Sequence, residues 1–153
     1  MKVQRINCEL NNSRTRLSNQ NTILVFISYS TKDSERFKVP HIAERLIKYP
    51  EIERVLYWEE HMCDDIIKYM NDNVGKCDVL LIFCSPNSLK SEPVEMEWQA
   101  ALKIKKKIIP IFSNERDIPT MLATKLGIKF NKNDIDVTIE QIYKLILKKI
   151  ARY

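Results

Sequence analysis

The chain predicts an α/β domain built on a doubly wound parallel sheet, and three observations carry that expectation. Short runs of β-branched and aromatic residues alternate with stretches of helical periodicity. One run, Val79 to Phe83, is apolar at every position, as in a strand covered on both faces. Turn-forming Ser, Pro and Asn close the apolar runs that end at Ile27 and Phe83. Alternation of this kind gives parallel strands joined by right-handed crossovers.

Taken in order, residues 1–21 (MKVQRINCELNNSRTRLSNQN) are polar, rich in Asn and Arg and weakly periodic. They are expected to form a flexible arm ahead of a single domain spanning 22–153. Ile23 to Ile27 is the first strand, closed by Ser28, Tyr29 and Ser30. Pro40 suits an early helical position, so a helix is expected from His41 to Tyr49, with Ile42, Leu46 and Ile47 inward and Pro50 as its stop. Val55 to Trp58 is a short second strand. Asp64 to Val74 reads as an amphipathic helix ended by Gly75.

After the third strand, Val79 to Phe83, the segment Ser85-Pro86-Asn87-Ser88 supplies turn chemistry. Ser91 is a natural cap for a helix from Glu92 through Ile104. Ile108 to Phe112 forms the fourth strand, whose Pro110 must sit where no ladder donor is needed. Ile128 to Phe130 is the fifth. A closing helix, Val137 to Ala151, buries Ile139, Ile142, Leu145, Ile146 and Ile150. Five such strands fit the flavodoxin-like order 2-1-3-4-5, with helices on both faces and the switch point between the first and third strands. Those two strands exit in SYS and CSPNS, so the most polar strand ends converge on the crevice where such sheets bind ligands.

Composition narrows the function. At 153 residues the chain is one domain with a sizeable core, and its 44% hydrophobic and 29% charged content is that of a soluble globular protein. The net charge of +5 gathers in Lys103, Lys105, Lys106 and Lys107 and in Lys144, Lys148, Lys149 and Arg152. No aromatic residues interleave with these cations, so they read as solvated helix faces rather than a nucleic-acid surface. Four scattered cysteines form no CxxC pair, and His61 with Cys63 lacks further ligands at workable spacing, so no metal is expected. No apolar run approaches the ~20 residues of a membrane span, and the start lacks a signal-peptide core. The expectation is a cytoplasmic protein with reduced thiols. With only Gly75 and Gly127 there is no glycine-rich phosphate loop.

Glu97 is the residue singled out for chemistry, since it lies on the first turns of the helix that follows the third strand. The bland alternative is a solvated helix carboxylate. Glu95 lies about 200° round the helix and faces elsewhere, while Glu92 simply favours the helix dipole.

These residues carry a family likeness. FISYSTKDSE (Phe26 to Glu35) resembles the first box of Toll/interleukin-1 receptor (TIR) domains. CDVLLIFCSPNSLKS (Cys77 to Ser91) resembles the third strand and Ser-Pro-Asn turn of microbial, bacterial or archaeal, members. PVEMEWQAAL followed by KKIIPIF is similar to their next helix and fourth strand. The resemblance covers about Thr22 to Ile150 and implies one of two functions. Many members are NAD+ nucleosidases that cleave the nicotinamide–ribose bond, giving nicotinamide and ADP-ribose or a cyclic form, and act on self-association. Others are adaptors that work through homotypic contacts.

The enzymes place a catalytic glutamate in a Trp-x-x-x-Glu pattern. Glu97 matches that glutamate, and Pro93 stands where the family has Trp. At the exit of the first strand Tyr29 and Ser30 either line the cleft or simply end the strand. Trp58 either stacks on a ligand ring or is core, and Glu59 is a candidate for ribose hydroxyls or for a partner's lysines. Pro93 takes the place of an aromatic that in the family packs beside the substrate. The resemblance also makes the Trp58–Asp65 loop (WEEHMCDD) the counterpart of a loop that touches a neighbouring subunit. NAD+ is then a substrate, with no separate cofactor. The same fold as a phosphoreceiver fails on residues: Cys84 and Ser85 stand where the phosphoacceptor aspartate belongs.

Overall fold

A computed structural model describes residues 10–11, 23–57 and 73–151. Its sheet contains β1 (Leu10–Asn11), β2 (Ile23–Ser28), β3 (Ile52–Tyr57), β4 (Val79–Cys84), β5 (Lys107–Phe112) and β6 (Ile128–Lys129). Their spatial order is β1-β3-β2-β4-β5-β6. From β2 to β6 every pairing is parallel, so these five strands have the expected order 2-1-3-4-5. β1 adds an antiparallel edge, with Leu10 opposite Val55 and Asn11 opposite Arg54. Two residues of the expected arm thus join the sheet, and the rest of 1–22 lies outside the described residues.

Among the described residues the sheet is flanked by α1 (Val39–Leu46), α2 (Pro86–Leu89), α3 (Glu92–Lys103) and α4 (Ile135–Ile150). Strand alternation divides the core in two. On one face Ile23, Val25 and Ile27 of β2 pack with Val79, Leu81 and Phe83 of β4 beneath α1 and α4. On the other, Phe26 packs with Leu80, Ile82 and Cys84 beneath Val94, Trp98 and Ala101 of α3. Every residue of β4 is buried, as expected of the central strand of a sheet covered on both sides.

Local chemistry explains the boundaries. α1 stops at Leu46, three residues short of the expected Tyr49. Tyr49 instead leaves the helix to stack on Tyr143 of α4, with ring centroids 3.6 Å apart and planes 7° from parallel. The Ser85–Ser88 segment is not an open turn: Pro86–Leu89 makes one helical turn. Ser85 Oγ accepts from Ser88 N at 2.9 Å, and Ser88 Oγ accepts from Ser85 N at 2.8 Å. Ser91 caps α3 as expected, its hydroxyl accepting from Val94 N at 3.3 Å. α4 begins two residues before Val137 because Asp134 caps it, Oδ1 accepting from Val137 N at 3.3 Å.

Pro110 lies opposite Ile82 in the β4–β5 pairing. In a parallel strand both polar backbone atoms of a residue point to one side, and the side alternates. Phe112 O accepts from Phe130 N at 2.7 Å, so Phe112, and Pro110 two residues before it, face the β6 side. β6 begins at Ile128, opposite Ile111, so no ladder donor is required of Pro110. Among 64–74, the expected second helix, only Asn73 and Val74 are described, and both are helical.

Candidate functional site

The site begins with strand parity. Phe26 points into the α3 side of the core, so Ser28, two residues on at the end of β2, points the same way. On α3 the buried positions are Val94, Glu97, Trp98 and Ala101, the i, i+3, i+4, i+7 spacing of a core stripe. Glu97 therefore occupies a position that helical periodicity reserves for an apolar residue. Its carboxyl group meets Ser28, whose Oγ lies 2.5 Å from Glu97 Oε1. Ser28 is 0% and Glu97 4% exposed. The reading of Glu97 as a solvated helix carboxylate is thus overturned.

Burial governs the titration of this group. Loss of hydration disfavours the charged form and pushes Glu97 up from its ordinary 4.5 to about 8, while the hydrogen bond from Ser28 acts in the opposite direction. The carboxyl group is accordingly poised near neutrality, the range in which functional acids and bases are commonly tuned.

A second polar cluster ties the two strand exits together. Asp33, in the loop leaving β2 and 2% exposed, accepts hydrogen bonds from Ser85 Oγ and, at 2.8 Å, from Asn87 Nδ2. The network joins CSPNS, through Ser85 and Asn87, to Asp33, which lies three residues beyond SYS. The sequence also hid the role of Ser28. Its available signal was parity with Phe26 along β2.

The other residues singled out in the sequence fall in different places. Tyr29 is buried in the core on the opposite face of the sheet from Glu97, its ring centroid 6.3 Å from that of Tyr57. Ser30 is buried at the start of the helical turn Thr31–Asp33, its carbonyl accepting from Asp33 N at 2.8 Å. Pro93 is half-buried in the first turn of α3, one turn before Glu97. Trp58 and Glu59, with the whole Trp58–Asp65 loop, lie outside the described residues. Trp98 fills the core beside Glu97.

An open cavity of about 690 Å³ lies elsewhere, between the start of α1 and the start of α4. Its lining (Ser34, Glu35, Lys38, Pro40, His41 and Ile135) includes none of the buried polar groups just described. Convergent buried polar groups mark a chemical site better than open volume does. Among the described residues no group of three or more His, Cys, Asp or Glu side chains could hold a metal ion, and no helix is long and apolar enough to cross a membrane. Burial pushes the Cys77 and Cys84 thiols up to about 12, so both are uncharged and poor nucleophiles at neutral pH.

Comparison with known proteins agrees with this architecture. Two solved TIR structures share the fold. The TIR domain of the Toll-related receptor TRR-2 from Hydra magnipapillata superposes with a TM-score of 0.60 at 16% identity, over 82% of this chain and 96% of that one. The TIR domains of the activated Roq1 resistosome, which directly recognises the pathogen effector XopQ, give 0.65 at 16% identity, over 81% of this chain and 99% of that one. No curated protein matches the sequence. The family model described as TIR domain matches residues 25–146, from the middle of β2 to the last turn of α4, and the chain belongs to the TIR domain family.

Proposed function

We propose that this TIR domain is an NAD+ nucleosidase, releasing nicotinamide and ADP-ribose or its cyclic form, with Glu97 as the catalytic residue. The observation that carries this reading is the burial of Glu97 on the core stripe of α3, against the end of β2. A buried ionisable carboxyl group in that position, even with one hydroxyl partner, costs stability that an apolar residue would not. A domain acting only as a scaffold has no use for it.

The chemistry suits one carboxylate. In NAD+ the pyridinium nitrogen already carries positive charge, so nicotinamide leaves as a neutral molecule without needing a proton. Positive charge then develops on the ribose, and an ionised carboxylate beside that ring stabilises it through charge and through hydrogen bonds to the ribose hydroxyls. A glycosidase that expels an alkoxide needs a second carboxyl group as acid; this reaction does not. Ser30, Pro93, Trp58 and Glu59 are proposed to border the substrate, whereas Tyr29, buried on the face of the sheet opposite Glu97, is not part of that set. The Trp58–Asp65 sequence is proposed as part of a contact between copies, which is in keeping with a neighbour in the fold whose TIR domains belong to an activated resistosome.

Pro93 supports a second reading. Without the aromatic residue that the enzymatic pattern places one turn before the glutamate, the domain would act as an adaptor through homotypic contacts. Nicotinamide release from NAD+ by concentrated protein separates the two. Turnover by the wild type that falls at least about 100-fold in Glu97→Ala and Glu97→Gln supports the enzyme. Turnover at equal rates in all three proteins removes Glu97 as the catalytic residue, and no turnover even in forced oligomers replaces the enzyme with the adaptor.

A further inference from the structure

We propose that Ser28 is the positioning residue for Glu97: its hydroxyl, fixed at the end of β2, holds Oε1 of the carboxyl group and leaves Oε2 to face the ribose. The inference rests on the nucleosidase reading and names a residue that the Trp-x-x-x-Glu pattern does not contain.

Three features of the contact carry it. First, its two ends belong to elements 69 residues apart in sequence, so the 2.5 Å separation reports tertiary placement and not local chain geometry. Second, both ends are rigid. Ser28 is the last residue of a strand paired on both sides, to β3 and to β4, where Ser28 itself lies opposite Ile82. Glu97 lies in the second turn of a helix whose neighbouring side chains, Val94, Trp98 and Ala101, are packed in the core. A long glutamate side chain in an apolar environment would otherwise sample several rotamers, and one hydroxyl donor selects among them. Third, the contact is polar on a face that is otherwise apolar. Phe26 and Leu56 flank Ser28, and Leu80, Ile82 and Cys84 come from β4.

Among the described residues, the groups around the pair leave Ser28 as the main polar influence on the carboxylate. On β4 the one titratable side chain of this face is the Cys84 thiol, which is uncharged. Lys107 of β5 is exposed at the strand's opposite end, and Glu92 and Glu95 of α3 are exposed. Asp33 is engaged with Ser85 and Asn87. Burial and the Ser28 bond are what set the protonation of Glu97. A hydroxyl donor favours the charged form, so Ser28 acts on the orientation of the carboxylate and on its ionisation together.

The test compares wild type, Ser28→Ala and Ser28→Cys, the last nearly isosteric with a weaker donor. The measurements are kcat and KM for NAD+ across pH, with circular dichroism and thermal melts to confirm folding. Ser28→Ala is expected to lower kcat about 10- to 100-fold with KM changed less than about threefold. It is also expected to move the acid limb of the rate profile by about one pH unit toward alkali. Ser28→Cys should fall between the two. Carbon-13 NMR titration of the Glu97 carboxyl should show the same alkaline displacement in Ser28→Ala, independently of turnover. Wild-type kcat and an unmoved acid limb in folded Ser28→Ala overturn the role of Ser28 alone. A loss of kcat that merely tracks the folded fraction does the same. Absence of turnover in the wild type removes the nucleosidase reading, and the positioning role with it.

Discussion

Ser85 Oγ donates a hydrogen bond to the carboxylate of Asp33, joining residues 52 positions apart in sequence. Asn87 Nδ2 donates to the other oxygen at 2.8 Å. The loop after β2 and the helical turn after β4 are therefore held by one buried acceptor, directly beyond the ends of these two neighbouring strands. Removing that acceptor leaves the buried Ser85 hydroxyl without its partner and frees the half-buried Asn87 amide. Asp33→Ala is expected to lower stability by about 2–3 kcal/mol, read as a shift in the midpoint of chemical denaturation. Asp33→Asn, which keeps one carbonyl oxygen, should lose roughly half as much.

Glu97 couples pH to folding. Its folded value of about 8 lies above its ordinary 4.5, so between these two pH values the folded protein retains a proton that the unfolded chain has released. The contribution to stability is fully present below about 4.5 and is lost as pH rises through about 8. Glu97→Gln keeps the shape without the charge. Its melting temperature is expected to exceed that of wild type by roughly 5 °C at alkaline pH and to converge with it in acid. Melts taken across the pH range check the sign: a wild type that gains stability from this residue as pH rises through neutrality contradicts it.

Gly127 precedes β6 where the chain passes close to Pro110. A Cβ built there would lie 2.6 Å from the Pro110 carbonyl oxygen and 3.3 Å from Phe112 Cε1. The nearer atom is backbone in a paired strand and cannot move aside. Gly127→Ala is expected to cost about 1–3 kcal/mol in equilibrium denaturation. The loss should appear as faster amide exchange at Phe130, whose N–H is bonded to Phe112 O.

Much of the sheet was legible because burial on both faces writes a continuous apolar run, as in Val79 to Phe83, and because Ser91 and Gly75 punctuate in the usual way. Strand order followed from alternation. What escaped depends on contacts between distant segments. Leu10–Asn11 is too short to show any period, and only its pairing with Val55 and Arg54 makes it a strand. Tyr49 looked helical until its stacking partner, Tyr143, was in place. The family likeness pointed to Glu97, but its burial was visible only in the spacing of Val94, Trp98 and Ala101. Ser28 and Asp33 read as ordinary strand-end and loop polars, since the partners that give them meaning lie 69 and 52 residues away.

The short antiparallel strand β1 has a consequence for how copies of this domain can meet. Exposed strand edges invite growth by hydrogen bonding from one molecule's sheet to the next. β1 covers β3 at Arg54 and Val55, in the middle of that strand, and the far edge of the sheet is a strand of just two residues. Neither border offers a long run of free backbone groups. Any meeting of copies would then have to rest on side-chain surfaces rather than on extension of the sheet.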